Sequence, residues 1–330
     1  MKGIISILAL ALAIGACSPG AEDSSSTTIR TGETVAGSAT TTTVHTTTTG
    51  DTQPTDPAFP AVVSLPGGDV NIEAMPTRVV SLSSTATEML YAIGAGDQVI
   101  AVDEFSTYPD EAPVTDLSGF SPNLEAILGY EPDLVVISFD PGELQTGLTA
   151  VGVPSMLLPT ALTLQDSWDQ IHDLGVATGH SDEAEAVAVS MKADIARIVE
   201  ETPVPEGLTF YHEVDSTLYA ASSFSFLGQI YDLLAMENIA DAADTEGIGF
   251  PQLSSEYIVS KDPDLIFLAD VDYGVTPESL AERPGWDGMT AVANGAIIPL
   301  ESYLASNWGP RVVDLLQTIA DSVSEMAPVS

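Results

Sequence analysis

The chain has 330 residues, with 48 Asp plus Glu against 8 Lys plus Arg, and a single cysteine. A formal net charge of −40 excludes a nucleic-acid partner, because neutralising phosphates takes a cationic stripe that eight scattered basic residues do not supply. One cysteine excludes an internal disulfide framework and any multi-cysteine metal site, while 45% apolar content suffices for one large or two medium cores.

At the N-terminus, Met1-Lys2 precedes an apolar run over residues 4–16, too short to span a bilayer but of the length of a signal-peptide core. Ile14-Gly15-Ala16-Cys17 resembles a bacterial lipobox, with isoleucine where leucine is commoner. The resemblance implies that residues 1–16 are a lipoprotein signal peptide and that Cys17 carries the lipid. Residues 17–58 then form a spacer. Positions 18–58 hold 14 threonines in 41 residues and almost no large apolar side chain. Such a composition cannot offset chain entropy by burial, so a disordered tether is expected, spanning roughly 35 Å as a flexible chain. His45 falls within it and is assigned no role.

Residues 59–162 are predicted to form a first α/β lobe. Ala61-Val62-Val63 and Val70-Asn71-Ile72 flank Pro66-Gly67-Gly68 as a hairpin. Arg78-Val79-Val80-Ser81-Leu82 reads as a buried strand, and Thr85-Ala86-Thr87-Glu88 as a capping box opening a helix that ends near Gly94. A second strand is expected over residues 98–102, a helix from Asn123, and a third strand at Asp133-Leu134-Val135-Val136-Ile137. Short, wholly apolar strands alternating with helices predict a parallel sheet covered on both faces.

Residues 163–202 are expected to be helical. Thr163 opens a helix with Leu164, Trp168 and Ile171 on one face. Ser181 is read as the cap of a second, with Val187, Met191, Ile195 and Ile198 as its stripe and Pro203 and Pro205 beyond its end. Residues 203–330 form the second lobe, because the sequence repeats at an offset of 131 positions. Asn123-Leu124-Glu125 and Pro132-Asp133-Leu134 recur as Ser254-Ser255-Glu256 and Pro263-Asp264-Leu265, each a capped short helix that Pro-Asp stops before a strand. The fold class is therefore α/β, with two Rossmann-like lobes joined by one long helix.

These motifs, with Arg283-Pro284-Gly285-Trp286 and Gly309-Pro310-Arg311, resemble the substrate-binding lipoproteins of bacterial ABC importers for cobalamin and iron chelates, closest to the cobalamin branch. The resemblance runs from about residue 60 to the C-terminus. It implies a monomer held on the outer face of the cell membrane by its lipid anchor, whose partners are a small-molecule ligand and a permease dimer with its ATPase subunits. It further implies that Glu125 and Glu256 dock onto the permease; as first-turn acids they also suit the helix dipole. The chain itself is then no enzyme and needs no cofactor.

Ligand contacts are expected on loops at the carboxyl ends of the strands, where open α/β sheets place their crevices. The candidates are Ser84, Thr85, Tyr108, Phe120 and Phe139 in the first lobe, and Glu213, Phe250, Tyr303 and Trp308 in the second. Ser83, Asp215 and Tyr273 lie on the same loops. Few cations are present to hold an anionic chelate, which favours a corrinoid or a neutral hydroxamate chelate; a ferric siderophore or haem is the alternative. A metal-ion receptor would use His212, Glu213 and Asp215. Gly-x-Ser-x-Gly, His-Glu-x-x-His and phosphate-binding glycine-loop motifs are absent, and no catalytic residue is assigned.

Overall fold

The computed structural model describes residues 59–326. The expected signal peptide and spacer, with Cys17 and His45, lie outside the described residues.

The chain enters through the hairpin of β1 (Ala61–Leu65) and β2 (Gly68–Ile72), paired antiparallel with Leu65 opposite Gly68. Gly68 holds φ +124°, a conformation that L side chains rarely adopt, so the turn requires glycine there. The first lobe follows as β3 (Val79–Leu82), α1 (Ser84–Ala92), β4 (Val99–Val102), α2 (Leu124–Leu128), β5 (Leu134–Ile137), α3 (Leu144–Ala150) and β6 (Ser155–Leu157). Its sheet runs β4-β3-β5-β6, all parallel. Along β5, Leu134 and Val136 face one core cluster and Val135 and Ile137 the other. This period of two is what a strand covered on both faces requires.

Two helices lead out of this lobe, α4 (Leu164–Thr178) and α5 (Ser181–Glu201). Thr163 and Asp166 form a reciprocal capping box at the start of α4. Helix α5 has 21 residues, hence a length of about 32 Å. The second lobe contains β7 (Thr209–Glu213), α6 (Phe226–Asp232), β8 (Glu237–Asn238), α7 (Ser255–Lys261), β9 (Leu265–Leu268), α8 (Pro277–Ala281), α9 (Thr290–Ala293), β10 (Ile297–Pro299) and α10 (Val312–Met326). Its parallel sheet has the order β8-β7-β9-β10, the same winding as in the first lobe. The repeat is thus a repeat of topology, with the sense of winding reversing between the first and third strands of each sheet. One continuous apolar cluster runs from Val79 and Leu134 through Ile171, Met191 and Ile195 to Phe210 and Phe267, so the helical layer joins the two sheets.

The Pro-Asp pairs have a specific task. Asp133 accepts hydrogen bonds from the Thr77 N–H (2.8 Å), the Thr77 hydroxyl (3.0 Å) and the Arg78 N–H (2.9 Å). Asp264 accepts from the Thr209 N–H (2.9 Å) and hydroxyl (2.8 Å). Each aspartate pins the amino end of its lobe's third strand to the first, leaving the carboxyl ends to build a site.

Two local expectations are corrected. The cap of α1 is Ser83, whose side chain accepts from the Ala86 N–H, and Glu88 is not a capping partner but a buried residue with a distant ion-pair partner. The cap position of α5 is His180, with no side-chain capping bond, and Ser181 is already helical.

Candidate functional site

Six aromatic residues among the described residues are exposed: Tyr108, Phe120, Phe139, Phe224, Phe250 and Tyr273. All six lie on segments that leave the carboxyl end of a strand for the next helix, and none lies on a return from helix to strand. Tyr108 and Phe120 follow β4, Phe139 follows β5, Phe224 follows β7, Phe250 follows β8 and Tyr273 follows β9. Exposed Leu162 and Ile248 stand on the same kind of segment, after β6 and β8. Phe105 packs edge to face against Phe120 at 5.3 Å, and a 360 Å³ recess separates the Phe120 loop from the loop of residues 141–144. Scattered apolar side chains on a surface need no explanation, but aromatics confined to one end of both sheets mark this end as the candidate binding face.

Tyr303 belongs to the segment after β10 and is half-buried. Burial raises its hydroxyl pKa, and Tyr273 and Asp272 of its own lobe and Asp103 and Glu104 of the other add to the rise. Charges of both lobes therefore act on this ring. Trp308, also half-buried, donates from Nε1 to Gln170 Oε1 at 2.8 Å, and its carbonyl accepts from the Ser167 hydroxyl, which ties it to α4. Ser84 at the start of α1 is half-buried and donates to Asn307 Oδ1 at 2.9 Å.

Thr85 and Glu213 are buried and already bonded within the protein. Thr85 is buried and donates to Asn307 Oδ1 at 3.1 Å, a contact between lobes. Glu213 is fully buried; Arg283 grips its two oxygens at 2.6 Å each, and the Tyr211 hydroxyl donates to it at 3.2 Å. The arginine arrives from the segment after α8 and closes over the end of β7, which residue type and position along the strand do not reveal.

The metal-ion reading is also overturned. His212 and Glu213 are consecutive on β7 and point to opposite faces of the sheet. His212 is wholly buried with its Nδ1 2.8 Å from the Tyr231 hydroxyl, inside an aromatic group of Phe210, Tyr231 and Phe267. Burial lowers its pKa to about 4, so it is neutral. Asp215 accepts from the Thr217 N–H in a local turn. Among the described residues no group of three His, Cys, Asp or Glu side chains could hold a metal.

Sequence reasoning missed several residues here. Asp270, just past the end of β9, is 1% exposed and neither of its carboxyl oxygens has a hydrogen-bond partner. Burial, then the charge of Glu213, raises its pKa to about 6. Phe224, Leu162 and Ile248 were findable in principle as apolar residues following strands. Asp270 had no such signal, because its character comes from burial beside Glu213.

Among the described residues, every cation at this end of the molecule is neutralised. Arg283 serves Glu213, and Arg311 bonds Glu88 through Nη2 at 2.7 Å and lies 3.4 Å from Glu301. The remaining basic side chains of the described residues are elsewhere. Arg78 donates to the carbonyls of Glu131 and Tyr130, Arg197 pairs with Asp194 and Glu201 on α5, and Lys192 and Lys261 lie over the Trp168 and Tyr257 rings. Glu125 and Glu256 are exposed and occupy the second position of α2 and α7, capped by Asn123 and Ser254. Both helices start from segments leaving strand carboxyl ends, so these two acids sit on the same side of their sheets as the aromatics.

Residues 79–304 match the family model described as "Periplasmic binding protein". The chain is 30% identical over 268 residues to the vitamin B12-binding protein of Pectobacterium carotovorum subsp. carotovorum (strain PC1), covering 78% of this chain and 92% of that protein. It is 27% identical over 266 residues to the uncharacterized ABC transporter substrate-binding lipoprotein YvrC of Bacillus subtilis (strain 168), covering 77% and 82%. Its fold is similar to that of the periplasmic heme-binding protein RhuT from Roseiflexus sp. RS-1, with a TM-score of 0.67 at 22% identity, covering 76% and 98%. No helix of the described residues is long and apolar enough to cross a membrane. The two equally wound lobes, their joining helix and these matches together make the chain a member of the periplasmic binding protein family, the substrate-binding components of ABC importers and not enzymes.

Proposed function

We propose that this protein captures a corrinoid between its lobes and delivers it to an ABC permease. The observation that carries the reading is the set of six exposed aromatics at the strand carboxyl ends, on a face where every cation of the described residues is already paired. A corrin offers broad apolar faces and an amide-rich rim, which aromatic side chains can cover without any countercharge. Of the six, Tyr108, Phe120, Phe139 and Phe250 would supply this surface together with the half-buried Tyr303 and Trp308, with Ser84 as a hydrogen-bonding group at its edge. The vitamin B12-binding relative supports the ligand class. Cys17 would anchor the mature protein to the cell membrane, as the name of the Bacillus relative supports, and residues 18–58 would act as the tether. Glu125 and Glu256 would meet arginines of the two permease subunits.

A ferric chelate or haem is the second reading, favoured by the fold shared with a heme-binding protein. Haem carries two carboxylates, and burying them beside a face without a free cation is costly. Titration with cyanocobalamin, a neutral ferric hydroxamate, a ferric catecholate and haem, read by tryptophan fluorescence, decides between them. Cyanocobalamin is expected to bind at micromolar concentration or below. Haem or catecholate binding with no response to cyanocobalamin would overturn the corrinoid reading.

A further inference from the structure

Glu88 lies in the middle of α1 and is 3% exposed. One of its oxygens, Oε1, accepts from Arg311 Nη2 at 2.7 Å, from Arg311 Nε at 3.2 Å and from Asn307 Nδ2 at 2.8 Å, while Oε2 is buried without a partner. Asn307 turns its own oxygen to the hydroxyls of Ser84 and Thr85. Both donor residues lie between β10 and α10 of the second lobe, whereas Glu88, Ser84 and Thr85 belong to the first. The backbone approaches closely here: a Cβ added at Gly309 would stand 3.2 Å from Glu88 Oε2. The guanidinium of Arg311 also lies 4.1 Å from the centre of the Tyr108 ring, which is 44% exposed on the aromatic face.

We propose that Arg311 is a positioning residue that couples the contact between the lobes to the ligand surface, pairing with Glu88 across the lobes while its planar face holds the Tyr108 ring. The physical reason is geometric. A guanidinium presents edge donors and a flat face at once, so it can bond a carboxylate in its plane and stack on a ring above it. Lysine can satisfy the charge of Glu88 but has no such face. Movement of one lobe against the other would break the pair and release Tyr108. A cleft held this way stays preorganised and loses little freedom when it is filled. The ligand part of this inference rests on the corrinoid reading; the contact between lobes does not.

The test uses the full chain and the Arg311→Lys, Glu88→Gln, Tyr108→Leu and Arg311→Lys/Tyr108→Leu variants. Amide hydrogen exchange is followed by mass spectrometry without ligand. Arg311→Lys and Glu88→Gln are each expected to raise exchange by about tenfold or more in residues 84–92 and residues 303–312 together, while the sheets keep their protection. Cyanocobalamin affinity is expected to fall about tenfold in Arg311→Lys, with Tyr108→Leu adding little in that background. Unchanged exchange in residues 84–92 overturns the contact between lobes, and additive effects of the two substitutions on affinity overturn the coupling to Tyr108. A wild-type protein that binds no cyanocobalamin defeats the corrinoid reading and with it the ligand part of the coupling, while the exchange measurement still decides the contact between lobes.

Discussion

Arg283 holds both oxygens of Glu213 at 2.6 Å, and Asp270, buried on the neighbouring strand end, receives neither of its hydrogen bonds. One cation thus stands against two buried carboxyls. The second is held off ionisation by desolvation and by its neighbour's charge, which puts its pKa near 6.

A dependence of stability on pH follows, with a definite sign. The folded-state pKa of Asp270 lies above the ordinary carboxylate value, so between about pH 4 and pH 6 the folded protein holds a proton that the unfolded chain has lost. Its contribution therefore worsens as pH rises through that window. Asp270→Asn removes the dependence, and the variant should be the more stable by about 1–3 kcal/mol at pH 7.5, with the advantage shrinking toward pH 4.5. Urea unfolding of both proteins at several pH values checks this; parallel stability curves would contradict it.

The converse substitution should harm the fold. Glu213→Gln leaves Arg283 mostly buried without its charge partner, and a loss of about 3 kcal/mol is expected. Combined with Asp270→Asn the loss should change by a non-additive amount, since Asp270 is the carboxylate left for Arg283 to approach. Denaturation midpoints of the two single variants and the double variant give the coupling directly.

Asp133 and Asp264 should behave alike despite their separation in the chain. Each joins the amino ends of two central strands through backbone and hydroxyl donors. Replacement of either by alanine strands these donors and should cost about 1–3 kcal/mol without altering ligand affinity, because the strand ends concerned are opposite the aromatic face. A ligand titration on each variant, beside its unfolding curve, tests the separation of the two roles.

The aromatics should show the opposite pattern. Phe120→Ala and Phe250→Ala remove rings that are 67% and 42% exposed, so stability should fall by no more than about 1 kcal/mol. Cyanocobalamin affinity should fall about tenfold for each, as measured by calorimetry. Loss of stability with unchanged affinity would make them packing residues.

Charge reversal at Glu125 and Glu256 is expected to abolish transport into cells while leaving affinity for the ligand intact. Both side chains are exposed and contribute at most about 0.3–1 kcal/mol through the dipoles of their helices. Uptake measured beside soluble ligand binding separates docking from capture, and unimpaired uptake would remove the docking role.

Local patterning alone determined much of this protein. Apolar runs marked the buried strands, Asn123, Thr163 and Ser254 marked helix starts, and the repeated Pro-Asp marked the doubled lobe, because strand burial, capping and helix termination each depend on a few consecutive residues. Even the paucity of cations is a matter of composition. The tertiary structure decided which of two neighbours is available. Glu88 looked like a capping residue until Arg311, 223 residues away, occupied it; Glu213 looked like a ligand contact until Arg283, 70 residues away, closed over it. Asp270 acquired its raised pKa only by burial beside Glu213. The charge and hydrogen-bonding state of a carboxylate is set by what surrounds it in space, and those partners come from chain segments that no local pattern relates.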